Sequence, residues 1–314
     1  MMLMPGREQT IANIQAAVRA GTYNVKVEPG DPVLNAEQRA RLRADYLAMR
    51  PVEGRPTLKY RAGVGVAHAI MRIGTPFVLS DSHIEGVDSV QGIERAIVTS
   101  NHFSPIDNTL VRTMVWQTGR KRMPVVAYEE NLAMSGAFGF LMKYADTLPL
   151  STNPAYLRDC FEPMLRRELD EGNFVLIYPE QEMWFNYRKP RPSKRGAFLY
   201  AARIGVPVVP CFAEIHDKDE LEQPDFLEVS YTLHVLEPIW PDPAKSDRQN
   251  SIDMAAEDYA QKVACYERCY GKPLKRRFEV EDIAGWVPSE EVRRSVNECR
   301  DAGRCPEVSE LCPA

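Results

Sequence analysis

A chain of 314 residues, 44% hydrophobic and 26% charged, has room for one large α/β unit with an added segment and the composition of an ordinary globular protein. Its formal net charge of −5 argues against nucleic acid as the main partner, because no overall positive field would draw a phosphate backbone. Met1-Met2-Leu3-Met4 meets Pro5-Gly6 before an apolar core can form, so no signal peptide is expected, and the best candidate for a membrane span, residues 62–79, is interrupted by His68, Arg72 and Pro76.

Residues 1–60 read as polar and mostly helical. Ile11, Ile14 and Val18 mark a helix over 10–18, and Asn35 caps a second one running through Leu42 and Tyr46 to Met49. Residues 62–79 form a glycine-bearing amphipathic helix whose apolar side would face either the protein core, the commoner arrangement, or a membrane. Gly63-Val64-Gly65 looks like the start of a dinucleotide fingerprint, but no strand precedes it and His68 holds the third glycine's place, so that reading is rejected.

From residue 95 onward strand and helix alternate. Ala96–Thr99 is a β-branched run of the kind found in buried strands. After it, Ile106, Leu110, Val111, Met114 and Val115 recur at helical spacing up to Gly119, with Ser104 as N-cap and Pro105 at the first helical position. Residues 124–128, 147–150, 174–178 and 206–210 read as further strands, and 132–142, a stretch opened by Asn153-Pro154, and 196–204 as helices. Leu227, Val229, Tyr231, Leu233 and Val235 alternate with polar residues, so this strand has one wet face and lies near an edge; residues 251–270 are a last amphipathic helix. The order predicts an α/β fold with a mixed, largely parallel sheet and helices on its faces. A helical N-terminal extension would occupy 1–90, the α/β domain 91–272 and a C-terminal tail 273–314.

Seven cysteines are present. Cys265-x3-Cys269 falls on one helix face, and Cys299, Cys305 and Cys312 lie in the polar tail. With no Cys-x2-Cys pair and no accompanying histidine, the spacing fits no zinc pattern; reduced thiols in a cytosolic protein, and no metal, are expected.

The chemistry-bearing stretch is Asn101-His102-Phe103-Ser104-Pro105-Ile106-Asp107. Within one helix, five residues would swing His102 and Asp107 apart, but a strand-to-helix turn lets them meet. A plainer reading has Asp107 completing a capping box with Ser104 and His102 as an ordinary loop histidine. Asn-His-x4-Asp resembles the first block of the glycerolipid acyltransferases, which acylate lysophosphatidic acid and related acceptors. Further blocks follow in order. Tyr178-Pro179-Glu180 resembles the family's Phe-Pro-Glu-Gly-Thr-Arg, with Gln181, Glu182 and Met183 in place of Gly-Thr-Arg. Lys194-Arg195-Gly196-Ala197-Phe198 matches Lys-x-Gly-Ala-Phe, and 206–210 matches Val-Pro-[Ile/Val]-Val-Pro. The second block, Gly-x-Ile-x-x-x-Arg, is degraded to Ala145-Asp146-Thr147-Leu148-Pro149-Leu150-Ser151, without its arginine.

The resemblance implies transfer of an acyl group from a thioester, of coenzyme A or an acyl carrier protein, to a lysophospholipid hydroxyl, most simply that of 1-acylglycerol-3-phosphate. His102 would be the general base and Asp107 its orienting carboxylate, with no cofactor and no metal required. Glu180 would belong to the substrate site. Five basic residues in eight just beyond it suggest the acceptor's phosphate partner, with Arg188 the leading candidate for its planar fork, Lys194 second, and Arg191 beside them. The alternative is a solvated charged loop. A lipid acceptor without a membrane span implies peripheral association with the inner, cytoplasmic membrane surface, aided by 62–79 and Lys275, Arg276 and Arg277. The rivals are a non-catalytic lipid- or partner-binding protein on the same fold, an acyltransferase with a non-phosphorylated acceptor, and a serine hydrolase, for which no Gly-x-Ser-x-Gly elbow exists.

Overall fold

The sheet is built on short strands with no polar face. In the computed structural model, which describes residues 6–28 and 32–290 together with Arg293 and Val296, β2 (Ala96–Thr99) and β5 (Phe174–Leu176) are buried at every position. That is why they read as continuous apolar runs, and why helices must cover both sides of them. Their side chains alternate between two cores. Ile97 and Val175 point into one with Leu165, Phe198 and Met254, and Val98 and Leu176 into the other with Leu110, Met114 and Leu233.

β1 (His83–Glu85), β3 (Val125–Tyr128), β4 (Thr147–Leu150), β6 (Val208–Gln223) and β7 (Phe226–Val235) complete a seven-stranded sheet in the order β1-β7-β6-β2-β5-β3-β4. All pairings are parallel except β6 with β7, which form a long antiparallel ribbon. The mixed, largely parallel sheet expected from the sequence is therefore present, and only three-residue β1 lies outside β7.

The helices are α1 (Arg7–Ala20), α2 (Ala36–Met49), α3 (Leu58–Val78), α4 (Asn108–Gln117), α5 (Gly136–Tyr144), α6 (Pro154–Tyr156), α7 (Glu162–Asp170), α8 (Gly196–Ile204) and α9 (Asp247–Tyr270). Asn35 caps α2 in a full capping box with Gln38. The helix expected over 132–142 is instead a 3-10 turn followed by α5, because the chain folds back at Ser135-Gly136 and the Met134 carbonyl lies where a Cβ on Gly139 would be. Between α6 and α7 the helix widens into one π turn, Leu157–Phe161. Pro163, with no N–H to give, sits just beyond it. Cys299, Cys305 and Cys312 lie outside the described residues.

The N-terminal helices are locked to the sheet by buried polar contacts. Tyr46 of α2 donates to the Thr147 carbonyl at 2.6 Å, and buried Arg50 pairs with buried Glu168 of α7. Gly63 of α3 lets the Tyr144 ring approach so closely that a Cβ would overlap it, which accounts for the glycine that resembled a nucleotide motif. Further along α3, His68 meets Asp146 at 2.7 Å, while Arg122 at 3.0 Å and fully buried Arg112 at 3.8 Å share the same carboxylate. Burial alone would raise the Asp146 carboxyl, but the His68 hydrogen bond and the two arginine charges hold it well below the usual carboxylate range.

The outer face of α3 departs from the commoner expectation. Val66, Ile70, Ile73 and Phe77 recur at spacings of four, three and four and are 53%, 48%, 68% and 80% exposed, so the apolar stripe faces away from the core. Among the described residues no helix is long and apolar enough to cross a membrane.

Asp146→Asn should destabilise the fold by about 3 kcal/mol, because it leaves buried Arg112 without an anion. Urea unfolding with an unchanged m-value would report it. A carboxylate with a depressed pKa lends stability above its unfolded pKa that is lost as pH falls through the folded one, so the variant should also show a shallower loss of stability in acid.

Candidate active site

The site lies where β2 and β5 end, the edge at which open α/β sheets place their ligands. Asn101 begins it. Its side-chain oxygen accepts from the Ala213 N–H at 2.8 Å and its amide donates to the Ala213 carbonyl at 3.0 Å, so the side chain continues the β2–β6 ladder past the last strand residue. The next residue, His102, is thereby turned out of the sheet and remains partly exposed.

Helix α4 starts at Asn108, three residues later than the Ser104-Pro105 signal suggests, and residues 104–107 form a turn. Asp107 occupies the N-cap position, but its carboxylate caps nothing downstream. It reaches backward: Oδ2 accepts from the backbone N–H of Phe103 at 2.9 Å and of Ser104 at 3.1 Å, and lies 2.8 Å from His102 Nδ1. Oδ1 accepts from the Tyr178 hydroxyl at 2.6 Å. Of the capping box only the return bond from the Ser104 N–H is made: the Asp107 N–H goes to the Ser104 carbonyl at 3.2 Å rather than to its hydroxyl, and α4 begins after Asp107, so the carboxylate serves His102 and Tyr178 as well as the turn.

Tyr178 does two things. Its ring stacks on His102 with centroids 3.9 Å apart and planes 16° from parallel, and its hydroxyl fixes the far oxygen of Asp107. Burial, reinforced by the Asp107 charge, pushes its phenol well above its ordinary pKa, so it stays a donor. Sequence reasoning did not single it out. The available signal was a tyrosine where the resembled block has phenylalanine, which could not make this bond. With Nδ1 engaged, His102 is left with Nε2 to meet a substrate, which is the arrangement of a general base with an orienting acid.

Glu180 is buried in a pair with Arg191 at 2.8 Å. It accepts from the Arg191 N–H at 2.8 Å and from the His102 N–H at 3.3 Å, while the Arg191 guanidinium donates to the carbonyls of His102 and Glu182. Both residues thus hold the His102 backbone rather than line open space. Gln181 follows at φ +71°, a left-handed conformation that favours glycine, and it occupies the place of the resembled block's glycine.

The basic loop is not the solvated arm its composition suggests. Trp184, Phe185 and Tyr187 are buried against Ile11 and Ile14 of α1. Arg188 donates to the Ile215 carbonyl at 2.5 Å and to Asp217, and Lys189 pairs with buried Asp282 at 2.7 Å. Arg188, the leading phosphate candidate, therefore spends its fork on the β6–β7 ribbon. Lys194 and Arg195 differ, being exposed at the start of α8, with the Lys194 N–H bonded to the Pro179 carbonyl at 2.8 Å. At the degraded second block an arginine arrives from elsewhere: Arg43 of α2 bonds Ser151 Oγ at 3.1 Å and Glu129 at 2.7 Å. A cavity of about 320 Å³ lined by His68, Met71, Arg72, Arg112, Trp116 and Lys121 opens along α3 and α4. His102 is not among its lining residues.

A buried support stands behind the site. Lys262 and Asp258 of α9 pair at 3.0 Å with no exposure; Asp258 also accepts from Thr99 at the end of β2 and from Ser193 at 2.8 Å. Nothing in the pattern of α9 marked these residues beyond their i, i+4 spacing.

Residues 81–214 match the family model described as Acyltransferase. Over that stretch the chain is similar to the acyltransferase family. The matched stretch runs from just before β1 to Glu214 in β6, so it takes in His102, Asp107, Glu180 and the basic loop. Comparison with curated proteins finds no match. Among solved structures, the chain is similar to the crystal structure of the 1-acyl-sn-glycerophosphate (LPA) acyltransferase PlsC from Thermotoga maritima, at 17% identity and a TM-score of 0.46, over 85% of this chain and 98% of that one.

Proposed function

We propose that the protein transfers an acyl group from a thioester, of coenzyme A or an acyl carrier protein, to a hydroxyl of a lysophospholipid, with His102 as general base. The observation that carries this reading is the His102–Asp107 pair at 2.8 Å, stacked on Tyr178 at a strand end inside the stretch that matches the acyltransferase model. His102 Nε2 takes the acceptor's hydroxyl proton as its oxygen attacks the thioester carbonyl. Asp107 stabilises the imidazolium that forms; the tetrahedral adduct then expels the thiolate, and the imidazolium returns the proton to sulfur. The acceptor itself supplies the nucleophile that a serine hydrolase carries on its own chain.

For a phosphorylated acceptor such as 1-acylglycerol-3-phosphate, Lys194 and Arg195 are the supporting cations, exposed beside Pro179 where Arg188 and Arg191 are tied up. Incubated with an acyl thioester and lysophosphatidic acid, the protein should yield diacyl product. His102→Ala should abolish transfer with the fold intact, and Asp107→Asn should lose most of it, since an amide cannot stabilise imidazolium as a carboxylate does. Released fatty acid with the acceptor untouched would make the protein a hydrolase, and neither product would make it a binding protein.

The acceptor class also explains the exposed stripe of α3. We propose that Val66, Ile70, Ile73 and Phe77 dip into a membrane surface, with exposed Arg61 and Arg72 on the same helix toward the headgroups. Lys275 is exposed as well, whereas Arg276 and Arg277 have local partners in Tyr259 and Glu279. The protein should sediment with anionic vesicles, less so in high salt, and Ile73→Asp with Phe77→Asp should cut the bound fraction several-fold at unchanged helicity. Indifference of the unmodified protein to vesicles at every salt concentration would remove the proposal.

A further inference from the structure

On the sheet face opposite the α4 core, and on different elements from the dyad, the fold gathers two thiols, an imidazole and two carboxylates. Cys265 and Cys269 stand one turn apart on α9. His234 of β7 and Glu214 of β6 come up from the antiparallel ribbon beneath them, and Glu85 of β1 is the cross-strand partner of His234. One ligand atom from each of His234, Cys265 and Cys269 lies within 4.8 Å of the others. No zinc spacing is legible along the chain because the histidine lies 31 residues upstream of Cys265, on a strand, and only the packing of α9 on the sheet supplies it.

The two separations at Cys269 match one particular coordination. Cys265 Sγ to Cys269 Sγ is 3.8 Å and Cys269 Sγ to His234 Nε2 is 3.4 Å. A tetrahedral zinc with bonds of about 2.3 Å to sulfur and 2.0 Å to nitrogen requires roughly 3.8 Å between two sulfurs and roughly 3.5 Å between sulfur and nitrogen. Glu214 Oε2, 2.9 Å from the same Nε2, needs to open by only about 0.4 Å to become the fourth ligand. The remaining ring nitrogen, Nδ1, faces Glu85 Oε2 at 3.3 Å, the carboxylate backing that fixes the tautomer of a ligating histidine. Arg268 donates to Cys265 Sγ at 3.2 Å, offsetting the negative charge that two thiolates and a carboxylate leave over a divalent ion. Cys265 is buried, whereas Cys269 and His234 are part-exposed, so an ion has a way in.

We infer that His234, Cys265, Cys269 and Glu214 form a structural zinc site that fastens the C-terminal half of α9 to the β6–β7 ribbon. Two thiolates and an imidazole select a borderline-soft ion over magnesium or calcium. Binding displaces the two thiol protons to solvent and changes no oxidation state. The competing account is a His234 that merely bridges Glu85 and Glu214 through its two ring nitrogens, with the cysteines as packing.

The test uses the full chain, stripped with a chelator under reducing conditions and then titrated with zinc against a chromophoric competitor. One zinc per chain, proton release on binding and a raised melting temperature are expected. Cobalt(II) in its place should give the thiolate-to-cobalt charge-transfer band and the visible bands of tetrahedral coordination. Cys269→Ser and His234→Gln, both at part-exposed positions, should remove the one-to-one site. Glu85→Gln should keep it with affinity lowered on the order of tenfold. No stoichiometric zinc in the reduced protein, or cobalt spectra untouched by Cys269→Ser, would overturn the site. So would a Cys265–Cys269 disulfide as the protein's resting state on purification. None of these readouts involves acyl transfer.

Discussion

The Asp107 carboxylate receives two backbone N–H groups, a tyrosine hydroxyl and an imidazole, and this fourfold demand fixes the shape of the turn around it. Charge-assisted bonds to a buried carboxylate are among the stronger local terms available to a fold, and leaving any of the donors unpaired would cost on the order of 1–3 kcal/mol. Ahead of α4, which starts at Asn108, the Asp107 N–H closes a turn onto the Ser104 carbonyl while its carboxylate takes the N–H groups of residues 103 and 104. His102 is consequently presented by backbone geometry, and the five-residue spacing follows from the turn.

A second set of buried charges holds the frame in which that turn sits. Glu180 with Arg191 grips the backbone of His102 from one side, and Asp258 with Lys262 grips Thr99 from behind. Buried pairs of this kind are weak contributors to net stability once desolvation is counted, and replacing them with apolar residues is often neutral or better. Their concentration around residues 99–107 is therefore better understood as positioning, which the base role proposed for His102 would require. The Arg191 that seemed a substrate ligand in the sequence is part of this frame.

How much could be read in advance follows from which interactions are local. Ala96–Thr99, α8 and the Asn35 cap were legible because period, β-branching and capping chemistry are properties of neighbouring residues. The dyad was legible because both members lie within one turn. Tyr178, Asn101, Asp258 and the gathering of His234 with Cys265 and Cys269 were not, because each depends on a contact between elements 31 or more residues apart. Basic clustering misled for the same reason: charge density along the chain says nothing about Asp217 and Asp282, which meet Arg188 and Lys189 only in the fold. The stripe of α3 could be seen as amphipathic, but which side its apolar residues face is decided by Tyr144 closing on Gly63 and by His68 reaching Asp146.

The central claim is that the His102 imidazole moves the proton, with Asp107 and Tyr178 holding it. Chemical rescue tests this most directly. In His102→Gly, free imidazole should enter the vacated space against the Tyr178 ring and restore part of the acyl transfer in a saturable manner, and substituted imidazoles should rescue in order of their basicity. Transfer that persists in His102→Gly without imidazole would contradict the account. So would a variant that folds and binds both substrates but gains nothing from imidazole at any concentration.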